Sequence, residues 1–287
     1  MIWLAMLALT AGLAPGAQAS LQVTHAARAL QPGELVVLTI TAPAASGAVT
    51  VRAFDRDWPS HRSDAGTWRA LIGIDLATKP GRHEVMVTTG EARTSHPLVV
   101  QARAFPTRRL TVDPALVNPP PHARERIARE ARELTAIWAA SPPEPLWRDR
   151  FVRPVPDEAN SAFGTHSVYN GERRSQHGGA DFRSPSGRPI KAANAGRVVL
   201  ADDLYFTGNT VVVDHGQGLV SLFAHLSEMD VKAGATVAAG DVVGKVGATG
   251  RVTGPHLHWT VRLNGARIDP LSLLHVLGAP PPLARER

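Results

Sequence analysis

The apolar residues of this chain come in short runs, and that limits what it can build. "ELVVLTIT" (34–41), "AVTVRAF" (48–54), "WRALIGID" (68–75) and "HEVMVTT" (83–89) are rich in Val, Ile, Thr and Leu, with Gly, Pro, Ser and Asp between them. Runs of this length, bounded by turn residues, read as strands. Their spacing over 20–104 predicts a small β-sandwich, immunoglobulin-like in outline. A second series follows: "GRVVLADD" (196–203), "NTVVVDHG" (209–216), "LVSLFAHLS" (219–227), "DVVGKVGA" (241–248) and "HLHWTVRL" (256–263). Here Gly is dense and "DHGQG" reads as a hairpin turn, so 146–277 is expected to be an antiparallel β-sheet domain with long loops. Residues 105–145 are the linker. "HARERIAREARELTAIWAA" (122–140) places Ile127, Ala131, Leu134, Ile137 and Trp138 at helical spacing, after "NPPP" and before "SPPEP". That predicts one amphipathic helix between the two domains. The fold class expected is therefore mostly β, and 278–287 reads as a frayed tail.

The first nineteen residues, "MIWLAMLALTAGLAPGAQA", read as a signal peptide. An apolar stretch from Ile2 to Leu13 is broken at Pro15 and Gly16, and "AQA" gives a small-x-small cleavage site before Ser20. No Lys or Arg precedes the stretch, which departs from the usual pattern. The stretch is too short to span a bilayer comfortably. The reading is an exported chain, periplasmic or extracellular, with no stable membrane span after cleavage. There are no cysteines. A disulfide framework, a thiolate metal site and a lipid-anchored N-terminal Cys are thereby excluded, and any metal chemistry must use His, Asp and Glu. The net charge of +6 comes from 31 Lys and Arg against 25 Asp and Glu. These alternate along the chain, as in "RERIAREARE", and no nucleic-acid-binding motif accompanies them, so no nucleic-acid partner is expected.

Five polar residues stand out in the second series. "SQHGGADF" supplies His177 and Asp181, "LFAHLS" supplies His225, and "GPHLHW" supplies His256 and His258. Side chains alternate faces along a strand, so His256 and His258 point to one side. Paired imidazoles repel when protonated and pack poorly when neutral, and a shared metal removes both objections. Gly178 and Gly179 argue against a helix through His177 and Asp181 and favour a loop that lets both side chains converge. Each pair is weak evidence by itself. Together, three histidines and one acid offer the nitrogen and oxygen donors that zinc takes without thiolates. His215, at the hairpin turn, reads as a structural residue. His25, His61, His83 and His96 show no ligand spacing. Trp58 and Trp68 read as packing residues rather than ligand anchors.

From 160 to 272 the chain resembles the lysostaphin/LytM-type zinc metallo-endopeptidases that cut peptidoglycan peptides. The resemblance rests on "HGGAD", on "FAHLS", on "TGRVTGPHLHW" and on the intervening "NTVVVDHGQGLVSLFAHLS" and "VAAGDVVGKVGATG". It implies that His177, Asp181 and His258 hold one Zn2+ ion, and that His225 and His256 are the catalytic pair, with base and oxyanion roles not divided between them. It implies attack of a zinc-bound water on the peptide carbonyl, zinc lowering that water's pKa to about 7. Peptidoglycan stem peptides are the implied partner. The segment 163–176, polar and flexible in character, is by analogy one wall of the substrate groove, with Tyr169, Asn170 and Arg173 as candidate contacts and His166 undecided. Phe223 stands where relatives often carry Tyr. Some relatives have lost the zinc residues and activate other wall hydrolases, so the alternative is a non-catalytic cell-wall binding or hydrolase-activating module. The complete ligand set here favours the enzyme.

Overall fold

The computed structural model describes residues 21–42, 47–64, 66–90, 92–111, 118–148, 150–161 and 163–278. The expected signal peptide and all but the first residue of the expected tail lie outside these. The described residues of the N-terminal half form eight strands: β1 (Gln22–Ala27), β2 (Leu35–Thr41), β3 (Val49–Ala53), β4 (Arg56–Trp58), β5 (Ser60–Asp64), β6 (Thr67–Gly73), β7 (Gly81–Thr89) and β8 (Ala92–Val100). They form two four-stranded antiparallel sheets, ordered β1-β2-β6-β5 and β4-β3-β7-β8. β3 alternates, buried at Val49, Val51 and Ala53, so one of its faces supplies the layer between the sheets, whereas β2 is buried on both faces from Leu35 to Leu38. Trp58 is buried there, and its Nε1–H donates to the Ala53 carbonyl.

The connector contributes β9 (Thr107–Leu110) and then α1 (Arg124–Ala139). The remaining strands are β10 (Ala159–Ser161), β11 (His166–Tyr169), β12 (Glu172–Gln176), β13 (Gly179–Phe182), β14 (Pro189–Lys191), β15 (Gly196–Leu204), β16 (Gly208–Asp214), β17 (Leu219–Met229), β18 (Thr236–Val237), β19 (Val242–Val246), β20 (Leu257–Leu263) and β21 (Ala266–Ile268), followed by α2 (Pro270–Leu277). The main sheet runs β10-β13-β20-β17-β16-β15-β18, with β19 and β21 pairing from the side and β14 beyond β19. Its named pairs are antiparallel. A separate small sheet, β12-β11-β9, includes a parallel pair between β9 and β11.

The two faces of the main sheet have different covers. Leu257, Trp259, Val261 and Leu263 of β20, with Phe223 and Phe182, are fully buried in a core continuous with that of the N-terminal sheets. Val212, Val220, Leu222 and Ala224 point the other way, where Leu134, Ile137 and Trp138 of α1 pack on them. The helix predicted as a spacer is therefore also the cover of the second face. No helix among the described residues is long and apolar enough to cross a membrane. The two halves meet directly: Ile268 lies against Gly73, the Leu35 N–H donates to Ser272 Oγ at 2.9 Å, and Arg267 pairs with Asp75 at 2.8 Å.

Candidate metal centre

Register places the first two donors. Asp181 of β13 pairs with His258 of β20, and His258 pairs on its other side with Ala224 of β17. All three share the face opposite the buried Trp259. His177 lies just before β13, outside the ladder. Its N–H donates to the Thr165 carbonyl and its carbonyl accepts from the Gly164 N–H, both at 2.8 Å. Of the neighbouring glycines, Gly179 is required for room: a Cβ there would strike the Trp259 carbonyl of the adjacent strand.

His177 Nε2, Asp181 Oδ1 and His258 Nδ1 form a triangle with edges of 3.0, 3.1 and 2.8 Å. Two ligands of a tetrahedral zinc at 2.0–2.1 Å stand about 3.3 Å apart, so these donors are close to the spacing one ion needs. The three side chains are 15–16% exposed, so the triangle is within reach of solvent. His258 Nε2 lies 2.9 Å from Thr260 Oγ1, and with Nε2 as the donor in that contact Nδ1 would be free to offer its lone pair to a metal. Burial pushes the Asp181 carboxyl up, but the hydrogen bonds and charges of His177 and His258 outweigh it and hold it well below the usual carboxylate range. Burial, then His177 and His256, lower the His258 pKa against the pull of Asp181. An anionic carboxylate and a neutral His258 imidazole are the protonation states a zinc site uses.

His225 arrives by a different route. Plain alternation in β17 places it with Phe223, in the core. The register of β17 shifts along its pairing with β16 and again with β19, and His225 takes a φ of +66°. A left-handed backbone at a non-glycine residue costs about 1–3 kcal/mol and persists only where its surroundings impose it. Here the His225 N–H donates to the Thr207 carbonyl and Nδ1–H to the Thr249 carbonyl. The ring then stands 4.9 Å from that of His256 and 5.9 Å from that of His258, centroid to centroid. Burial, aided by His258, lowers its pKa to about 3. His256 bridges to Gly247 just ahead of β20, and its Nδ1–H donates to the Gly254 carbonyl at 2.9 Å. Its Nε2 is 3.8 Å from Asp181 Oδ1. Both imidazoles thus carry the Nδ1 proton and present Nε2 as an acceptor.

Phe223 is fully buried and stacks on Trp259, on the face away from this cluster. An added hydroxyl at this position would enter the core, so its absence does not alter the site directly. His215 is buried, with Nδ1 on the Ala195 carbonyl and Nε2 on Ser221 Oγ. The segment 163–176 is not a free loop: β11 and β12 form a hairpin, and β9 adds a third strand to it. Tyr169 lies under the Arg251 guanidinium, which also covers Phe206 at 4.4 Å, joining this hairpin to the loop before His256. Asn170 is in the hairpin turn with φ +51°, and the His166 ring meets that of Phe105. The side chain of Arg173 lies outside the described residues.

Three donors able to hold one metal ion, with the imidazoles of His225 and His256 beside them, make an arrangement suited to a metallopeptidase. The sequence profile of Peptidase family M23 matches residues 175–270. The crystal structure of a Pseudomonas aeruginosa protein described as a candidate peptidase M23 superposes with a TM-score of 0.67 at 36% identity, covering 86% of this chain and 95% of that one. DD-carboxypeptidase/endopeptidase Mpg of Neisseria meningitidis is 40% identical over 97 residues, 34% of this chain and 22% of that protein. Peptidoglycan DD-endopeptidase ShyA of Vibrio cholerae is 39% identical over 98 residues, 34% of this chain and 23% of that protein. The chain belongs to peptidase family M23. It spans about a fifth of the length of these two curated relatives.

Proposed function

We propose that the chain is an exported zinc endopeptidase that hydrolyses peptide crosslinks of peptidoglycan, with His177, Asp181 and His258 holding one Zn2+ and His225 and His256 acting on the substrate. The observation that carries this is the convergence of the three donor atoms within 3.1 Å of one another, with both further imidazoles turned so that Nε2 is the open nitrogen. The wall substrate and action outside the cytoplasm are supported by the names of the relatives and by the signal-peptide reading. The strand orders of the N-terminal sheets support reading 20–104 as immunoglobulin-like, with 105–145 as the linker and 146–277 as the peptidase domain.

Zinc, when bound, supplies a Lewis acid that polarises a carbonyl and acidifies water. The chain's own groups do the rest. One carboxylate and two imidazole nitrogens would hold the ion and leave it with net positive charge. Thr260, in contact with His258 Nε2, would hold that ring with Nδ1 available as the ligand. His225, neutral at pH 7, has an Nε2 lone pair to accept the proton of the attacking water and return it to the leaving amine. Nε2 of His256 is placed for the same exchange, and once protonated it donates to the developing oxyanion.

The test is release of muropeptides from purified sacculi, with casein as a control, before and after chelation. The expected result is release from sacculi alone, lost with chelator and restored by zinc. Release that survives chelation contradicts the metal mechanism. Casein cleavage at a similar rate contradicts the wall substrate.

A further inference from the structure

We propose that the N-terminal sandwich is a positioning element of the metal centre, and that Arg103 acts through Phe163 to set the backbone that carries His177. The inference rests on reading His177 as a ligand. Asp181 and His258 are fixed to each other by the β13–β20 ladder, but His177 is outside it. Its N–H and carbonyl are both bonded to the short stretch 164–165. The placement of this ligand therefore depends on what holds that stretch.

N-terminal and connector residues hold it. The ring of Phe163, 2% exposed, lies directly on Gly33 in the turn before β2, where no Cβ fits. Phe105 lies on Gly164, whose φ of +81° and lack of a Cβ both favour glycine. The Arg103 guanidinium is 5.8 Å from the ring centre of Phe163 and 5.1 Å from that of Phe105. The Pro106 carbonyl accepts from the His166 N–H, and β9 then pairs along β11.

The same guanidinium also reaches the cap of α2. Arg103 donates to the Pro32 carbonyl at 3.1 Å and contacts Glu34 at 3.4 Å and Asp269 at 3.2 Å. Asp269 caps α2, directly after the β20–β21 hairpin whose first strand carries His258. Glu34 and Asp269 are 2% and 3% exposed, and both are paired with Arg103 and with Arg28. One side chain from the N-terminal half thus touches the segment leading to His177 and the element following His258. Metal sites hold their ligand distances to within about 0.2 Å of standard values, so this junction is expected to tune binding.

The experiment uses the full chain with Arg103→Met, Phe163→Leu and Arg103→Lys, and His177→Ala as reference. Zn2+ affinity is measured by competition with a chelating dye, and the Co2+ visible spectrum is recorded, at a temperature where circular dichroism shows each protein folded. Affinity about 10-fold weaker with an altered Co2+ spectrum is expected for Arg103→Met and Phe163→Leu, with partial recovery in Arg103→Lys. Wild-type affinity and spectrum in both variants, even with a lower Tm, overturn this inference alone. A wild-type chain that binds neither ion overturns the ligand reading and this inference together.

Discussion

His256 and His258 were legible as a pair because a strand has period two, and the structure keeps both on one side of Asp181. His225 stood out in the sequence at a strand end, but its role came only through resemblance, since alternation puts it with Phe223 and the φ of +66° that corrects this has no sequence signal. The contact of His25 with His96, 2.7 Å between ring nitrogens, was equally invisible to spacing because 71 positions separate them. Mutation separates the roles within the site. His258→Ala is expected to lose the metal, read by metal analysis after gel filtration. His256→Ala should retain it and lose about 10²- to 10⁴-fold in rate; loss of metal from both variants would erase the distinction. His215 sets a pH dependence away from the site. Burial lowers its pKa from 6.5 to about 4, against a smaller pull from the Ala195 carbonyl. Between those values the unfolded chain binds a proton that the folded chain refuses, so stability is complete above pH 6.5 and falls as pH drops toward 4. The loss is on the order of 3 kcal/mol. Urea unfolding of chelated protein from pH 7 to 4.5 should show it, and His215→Gln should flatten the slope. Parallel curves for the two proteins would contradict the assignment.

Among the elements, the apolar strands and α1 were legible from periodicity, whereas β9, β11 and β12 were not. "TRRL", "HSVY" and "ERRSQ" have little apolar alternation to mark them as strands. In α1 the apolar spacing found the packing side but missed its anchor. Ala131 is exposed, while Glu130 is 7% exposed and accepts from the Tyr205 N–H at 2.8 Å and from Arg126 Nε at 2.5 Å. A buried acceptor of this kind fixes the helix against the loop after β15. Glu130→Ala leaves the Tyr205 N–H unpaired and should cost about 1–3 kcal/mol, whereas Ala131→Ser should stay within about 0.5 kcal/mol. Equal chemical-denaturation midpoints for the two would show that α1 is held by its apolar residues alone.

At the scale of the molecule, the change in residue texture marked two β-rich halves, but their junction could not be read from sequence. Arg28 and Asp269 are 241 positions apart, and the ion pairs of Asp269 with Arg28 and Arg103 exist only once both halves fold. One continuous core joins Leu35 and Ile72 with Trp259 and Ile268. Halves sharing a core should unfold together, so calorimetry of the zinc-loaded chain is expected to give one transition with equal calorimetric and van't Hoff enthalpies. Two resolved transitions would mean that the junction is not cooperative. The central claim, that this chain cuts wall crosslinks with one zinc held by His177, Asp181 and His258, meets its most direct test in a titration. Chelated protein is titrated with Zn2+ while monomer release from a purified crosslinked muropeptide dimer is followed. The expected result is no cleavage without metal and a rise that levels at one equivalent. Cleavage by the metal-free chain, or an intact dimer at full zinc loading, would contradict the claim.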